Sequence, residues 1–347
     1  MGSDLSYVNT VETMGGAYKV NGSTQDPFTT LQSNGNNTVR VRLWHNPSWQ
    51  AGLNGTAIYS NLADVTKTIQ RAKNAGMAVN LDLHYSDTWA DPARQTIPAA
   101  WQGLSVAVLS DSVYNYTKAT LTYLASKNLV PEMIQIGNET NSGMLWPTGK
   151  TDAGWTNFAT LLKAGIKAVR DFSAGSAIKP KIILHEAQLQ TAVYWTTQLN
   201  AAGVTDYDIL GLSHYYKWST VNNWTDISST IAQLKTLSGK EVMIVETAFP
   251  FTNLNADSYN NIFYEASGTA VGYPFSPAGQ QAYFTDLVKA VIKGGGKGIM
   301  VWEPGWVTSN LNDSWGKGSS MENTTFWDFS NNLHEGIQFM TKAYDGL

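Results

Sequence analysis

Two short segments place a carboxylate where a strand should end: "IQIGNETN" carries Glu139 and "MIVETAF" carries Glu246. A charge just past an apolar run is costly unless its site is solvated or hydrogen-bonded, so both positions ask for a reason. Glycoside hydrolysis supplies one. It needs a carboxylic acid to protonate the departing oxygen and a carboxylate on the other side of the anomeric carbon. A retaining enzyme holds the two about 5–5.5 Å apart, so that the second can attack as a nucleophile. The other strand ends are polar too: Arg40 and Arg42, then Asp82, His84, Tyr85 and Asp87, then Asn138, His185 and Glu186, His214 and Tyr215, and Trp302 and Glu303. An arginine there can hold a nucleophile ionised, and Asn138 can bond a sugar hydroxyl beside the reacting carbon. Glu186 and Glu303 are also strand-end carboxylates, and any of these can simply pair with an arginine. Position alone therefore does not choose the pair.

These residues need elements that bring them together. β-Branched runs fall at 4–9, 38–44, 78–85, 133–139, 181–187, 209–216, 241–247 and 298–304, with helical patterns between them. In 61–76, Leu62, Val65, Ile69 and Ala72 recur at helical spacing and Gly76 suits the C-terminal turn. Segments 158–172 and 279–295 read the same way. Eight strand–helix alternations predict an α/β fold, a single (β/α)8 TIM barrel over 1–347 with long βα loops forming an open cleft. In that fold functional residues gather at the C-terminal ends of the strands, and strands four and seven face each other across the mouth. The long stretch 249–277 is expected to be functional or to carry substructure of its own.

Composition narrows the class. Of 347 residues, 43% are hydrophobic and 14% charged, enough for a large core and against disorder. The net charge of -4 comes without a basic stripe, which argues against nucleic acid, and without a polybasic membrane patch. No apolar run approaches the roughly 18 residues of a spanning helix, so no membrane insertion is expected. No targeting segment is read in "MGSDLSYVN". The absence of cysteine removes disulfides, thiolate metal sites and cysteine nucleophiles. Aromatics reach 12%, and Trp49, Trp89, Trp101, Trp146, Trp218, Trp306 and Trp315 stand among small or polar residues, where flat faces suit sugar rings.

The motifs match a family. "VRVRLWHNP" (39–47), "DLHYSDTWADPARQTIPAAW" (82–101), "IQIGNETNSGMLWPTG" (134–149), "MIVETAFPFT" (243–252), "MVWEPGW" (300–306) and "SMENTTFWDF" (320–329) resemble the arabinogalactan endo-β-1,4-galactanases, glycoside hydrolase family 53. The resemblance runs over nearly the whole chain and implies an endo-acting, retaining hydrolase of β-1,4-galactan. It makes Glu139 the general acid/base and Glu246 the nucleophile. Arg42, His84, Asn138 and Trp302 take roles in supporting the nucleophile or binding the sugar. Trp89 and Trp306 are assigned to the cleft wall, and Asp87, His214 and Tyr215 to substrate binding. The sixth strand departs from the family's usual "GLSYYP", reading "GLSHYYKW". No cofactor is expected for the chemistry and the metal ligands are unassigned. Some bacterial members hold a structural calcium ion in the loop after the seventh strand, where Asn253, Asn255, Asp257, Asn260 and Asn261 offer oxygens. The resemblance further implies a secreted, periplasmic or cell-surface protein acting as a monomer.

Three alternatives remain at this level. A mannanase or cellulase would use the same two carboxylates. A metal-dependent barrel hydrolase would gather His84, His185 and His214, although neutral hydrogen-bonded histidines are the simpler reading. A non-catalytic sugar-binding barrel would have lost its acid, whereas both glutamates are present.

Overall fold

The computed structural model describes residues 1–344; the last three residues of the expected 1–347 domain lie outside the described residues. Among the described residues, eight parallel strands form one sheet: β1 (Gly2–Asp4), β2 (Thr38–Leu43), β3 (Ala78–Leu83), β4 (Met133–Ile136), β5 (Lys181–Glu186), β6 (Ile209–Ser213), β7 (Glu241–Glu246) and β8 (Met300–Val301). Each strand from β2 to β7 pairs with its predecessor, and β1 pairs with both β2 and β8. A parallel bridge from Ile244 to Ile299, with the Ile244 N–H donating to the Gly298 carbonyl at 3.2 Å, joins β7 to β8 and closes the TIM barrel.

The helices are α1 (Val8–Thr13), α2 (Pro27–Ser33), α3 (Leu62–Asn74), α4 (Val106–Ala125), α5 (Thr156–Ser173), α6 (Leu189–Ala201), α7 (Trp224–Ser238) and α8 (Pro277–Lys293). Helix α3 illustrates how local sequence sets them. Asn61 caps it by accepting from the Asp64 N–H, a contact worth about 1 kcal/mol. Val65, Ile69 and Ala72 bury one stripe, and the chain leaves through Gly76 at φ +74, a conformation open to glycine without steric cost. Ser105, Asn223 and Ser276 cap α4, α7 and α8 in the same manner.

The interior has two layers of packing. Ile183, Ile209, Val245 and Met300 fill the barrel itself, with Met133 and Met243 against them. The larger cluster lies between strands and helices. Above the inner plug the barrel becomes polar, and the site lies there.

None of the eight expected strands keeps both ends: β2, β3, β5, β6 and β7 stop one to three residues early, and the other three differ for reasons local to their chain. The 4–9 strand is instead Gly2–Asp4, because Asp4 Oδ1 accepts from the Ser6 N–H (3.1 Å) and hydroxyl (2.5 Å), turning the chain into α1. The fourth strand stops at Ile136, since Gly137 (φ +79) and Glu139 (φ +45) leave the extended region. The eighth stops at Val301, ahead of Glu303 at φ +44. The stretch 249–277 does carry its own substructure, an antiparallel hairpin of Thr269–Ala270 with Tyr273–Pro274.

Candidate active site

Alternation along β2 turns Arg40 and Arg42 toward the barrel axis, and their partners differ. Arg40 donates to Asp4 Oδ2 and Asp82 Oδ2, both at 2.8 Å, and to Asn138 Oδ1 at 2.7 Å. It also lies 2.8 Å from Glu246 Oε1. Arg42 reaches Glu303 only at 3.5 Å and instead lies over the rings of Trp89 (4.2 Å) and Tyr7 (4.8 Å). The arginine against the expected nucleophile is thus Arg40, and Arg42 supports the aromatic wall. Burial opposes the Arg40 charge, yet Asp82, Glu246 and Asp4 hold it protonated. Removing it would strand three carboxylates. Arg40→Ala is expected to cost about 3–5 kcal/mol, read from the thermal unfolding midpoint; an unchanged midpoint would contradict the hub.

Glu246 reaches the cleft through a slip in register. Leu212 pairs with Ile244, but the next pairing is Ser213 with Glu246, skipping Val245. Val245 belongs to the inner plug, so strict alternation would have sent Glu246 outward; the irregularity turns it in. There the Tyr215 hydroxyl donates to Glu246 Oε2 at 2.9 Å.

Glu139 approaches from β4 in a left-handed conformation. Its Oε1 accepts from the Ser213 hydroxyl at 2.6 Å, and its backbone N–H donates to His185 Nδ1 at 3.2 Å. An oxygen of Glu139 and one of Glu246 lie within 4.8 Å of each other. That limit lies below the roughly 6.5–9.5 Å that separates the carboxyl groups of inverting enzymes, on the side of retaining pairs at roughly 5–5.5 Å. Burial raises both pKa values. The Glu246 charge raises Glu139 further, while Arg40 and Tyr215 lower Glu246, so Glu246 ionises first.

The other two carboxylates are elsewhere. Glu186 points away from the barrel axis, accepting from Asn141 (2.8 Å), the Gln188 N–H (2.6 Å) and Thr191 (2.5 Å), and burial pushes it up to about 7. Glu303 is fully buried beneath the wall and accepts from the Tyr7 N–H at 3.4 Å. Neither lines the cleft.

The cleft holds about 730 Å³, room for more than one sugar ring. His84, Trp89, Asn138, Tyr215, Trp302 and Trp306 line it. His84 is locked: Nδ1 accepts from Trp44 (3.1 Å) and the Ala90 N–H (3.2 Å), while Nε2 faces Asp82 at 3.0 Å. Asn138 is held at both ends, by Arg40 and by the Ala90 carbonyl (2.8 Å), leaving one amide N–H. Trp306 is buried against Tyr7 and donates to the Gly318 carbonyl, so it backs the wall. Trp89 stacks on Trp315, with centroids 5.8 Å apart. Trp315 and, across the cleft, Trp218 are half exposed.

Two expected contacts do not reach the cleft. Asp87 is spent on the loops after β2 and β3, accepting from the Asn46 and Ala99 N–H groups (2.9 and 2.8 Å) beside His45. His214 follows Ser213 and therefore faces outward by alternation; its side chain is buried. The residue on that strand that reaches the site is Ser213, which sequence reasoning passed over in favour of the bulkier histidine. Arg40 was passed over likewise in favour of Arg42. The three-histidine metal centre is not formed either, because His214 points away. Glu139, His185 and Glu246 bring donor atoms together, but both His185 nitrogens face hydrogen-bond partners.

In the loop expected to hold calcium, several of the side chains bond within the protein. Asp257 accepts from the Tyr259 and Ser319 N–H groups, Asn253 pairs with the Glu265 backbone in both directions, and Asn261 donates to Leu254 and Asn255.

The geometry agrees with what the chain is similar to. The model of glycosyl hydrolase family 53 matches residues 1–340. An arabinogalactan endo-β-1,4-galactanase of Cellvibrio japonicus is 42% identical over 99% of this chain and 91% of its own length. Among solved structures, a family 53 catalytic domain from Ignisphaera aggregans superposes with TM-score 0.88 at 32% identity, covering 98% of this chain and 94% of that one. A structure of fungal β-1,4-galactanases superposes with TM-score 0.82 at 32% identity, covering 99% and 98%.

Proposed function

We propose a function from one premise: the chain belongs to glycosyl hydrolase family 53. It is an O-glycosyl hydrolase, an endo-acting β-1,4-galactanase that cleaves internal bonds of galactan and needs no cofactor for the chemistry. In our reading the reaction is a double displacement. Glu246 attacks the anomeric carbon while Glu139, protonated, donates to the departing oxygen; Glu139 then deprotonates the water that releases the galactosyl ester. The observation that carries this is the unequal pair. A half-buried Glu139 and a buried Glu246 approach within 4.8 Å, and of the two Arg40 touches only Glu246. Such asymmetry divides acid from nucleophile. Esterification removes the Glu246 charge and so lowers the proton affinity of Glu139 when it must act as a base.

Trp89, Trp302, Trp315 and Trp218 supply flat faces for galactose rings, with Asn138 and His84 beside the reacting sugar. A polymer does not cross a membrane, so we place the enzyme outside the cell or on its surface. Among the described residues no helix is long and apolar enough to span a bilayer.

Linear β-1,4-galactan should yield mixed oligosaccharides from the earliest times by chromatography. Cleavage of mannan or cellulose in its place would keep the two glutamates and overturn the substrate.

A further inference from the structure

We infer that His185, acting through Ser213, decides which oxygen of Glu139 carries the catalytic proton. The inference rests on Glu139 being the acid/base of the proposed reaction.

His185 touches Glu139 along two routes. Its Nδ1 faces the Glu139 backbone N–H at 3.2 Å and Gln135 Nε2 at 3.1 Å. Both are donors, and the Gln135 amide is oriented by the Asp82 carboxylate, 2.6 Å from that same nitrogen. Asn138 Oδ1, also 3.0 Å away, is an acceptor whose two lone pairs already meet Arg40 Nη2 (2.7 Å) and Gln135 Nε2 (3.2 Å). Nδ1 is therefore the bare nitrogen and Nε2 carries the hydrogen. Nε2 lies 3.0 Å from Ser213 Oγ, which must accept from it. The Ser213 hydroxyl then has one strong acceptor, Glu139 Oε1 at 2.6 Å.

An oxygen that accepts a hydrogen bond in both protonation states is a poor seat for the mobile proton. The proton is left on Oε2. When the glycosidic bond breaks, its electron pair goes to the departing oxygen, which takes the proton from Oε2 and leaves a carboxylate still held by Ser213. His185 and Ser213 are positioning residues, with no contact to the substrate required of them.

The chain also sets a pH profile. Glu139 is faced by Glu246 from β7, Asp91 after β3, Arg40 from β2, Tyr215 after β6, and the neutral His185–Ser213 pair. Only the Ser213 contact is changed by Ser213→Ala. A hydrogen bond to a charged group stabilises it, so its loss should move the alkaline limb of kcat/KM up by about one pH unit. Ser213→Thr, which keeps the hydroxyl, should bring the limb back. In the wild-type protein with nitrogen-labelled histidine, His185 should show the neutral Nε2–H form between pH 5 and 8.

An alkaline limb unmoved in Ser213→Ala, or a His185 signal with the proton on Nδ1, overturns the inference. Failure of the underlying reading looks different. If Glu139 is not the acid, Glu139→Ala assayed on an activated aryl substrate will keep its alkaline limb.

Discussion

Glu246→Ala should lose at least about 10⁴-fold in kcat, some 5 kcal/mol of transition-state stabilisation, with the barrel intact. The variant removes the attacking atom and leaves Arg40 with Asp4 and Asp82, so the fold keeps most of its buried ion pairing. It also leaves a space beside the anomeric carbon. Azide should enter there and restore part of the rate. A single displacement on a β-linked sugar inverts the centre, so the product should be the α-galactosyl azide. The anomer is read by proton NMR. Turnover near wild type, or azide rescue giving the β product, would remove Glu246 from the nucleophile's role.

Glu139→Ala should behave differently on different leaving groups. On galactan, whose departing alkoxide needs a proton, the loss should be about 10²–10⁴-fold. On an aryl galactobioside whose phenolate leaves unaided, it should fall below about tenfold for the first step. Azide attack on the galactosyl ester gives two inversions in sequence, hence the β-galactosyl azide. The pH dependence follows in sign. The acid must be protonated, and its pKa is raised by burial and by Glu246, so wild-type activity falls as pH rises through that value. The acid limb belongs to Glu246 gaining a proton. Equal losses on both substrate types would sink the assignment.

The barrel was legible because strand periodicity is a short-range property; strand-end position offered four carboxylates, and the motif resemblance, not position, singled out Glu139 and Glu246. What lay beyond reach was depth and register. Arg40 and Arg42 share a parity, so alternation turns both inward. Which one meets Glu246 depends on Arg40 sitting one layer lower, beside Asp4 and Asn80, and reaching upward. His214 and Ser213 differ in parity, and the polar side chain that drew notice is the one facing out. Glu246 itself breaks alternation through the skipped pairing at Val245, and no composition rule announces such a slip. Asp87 looked free in the sequence because its partners, the Asn46 and Ala99 N–H groups, come from two separate loops.

The Arg40 hub makes acid a common cause of two failures. Burial works against the charge of Asp82, yet Arg40 and His84 hold its pKa below the usual range. The stability it contributes is present above its unfolded value and lost as pH falls through the lower folded one. Glu246 leans on that same guanidinium for its charge. Loss of catalysis and loss of the barrel floor on acidification thus draw on one ionic junction. Surface charge engineering leaves that junction untouched, and acid tolerance in this enzyme must be redesigned from the centre outward.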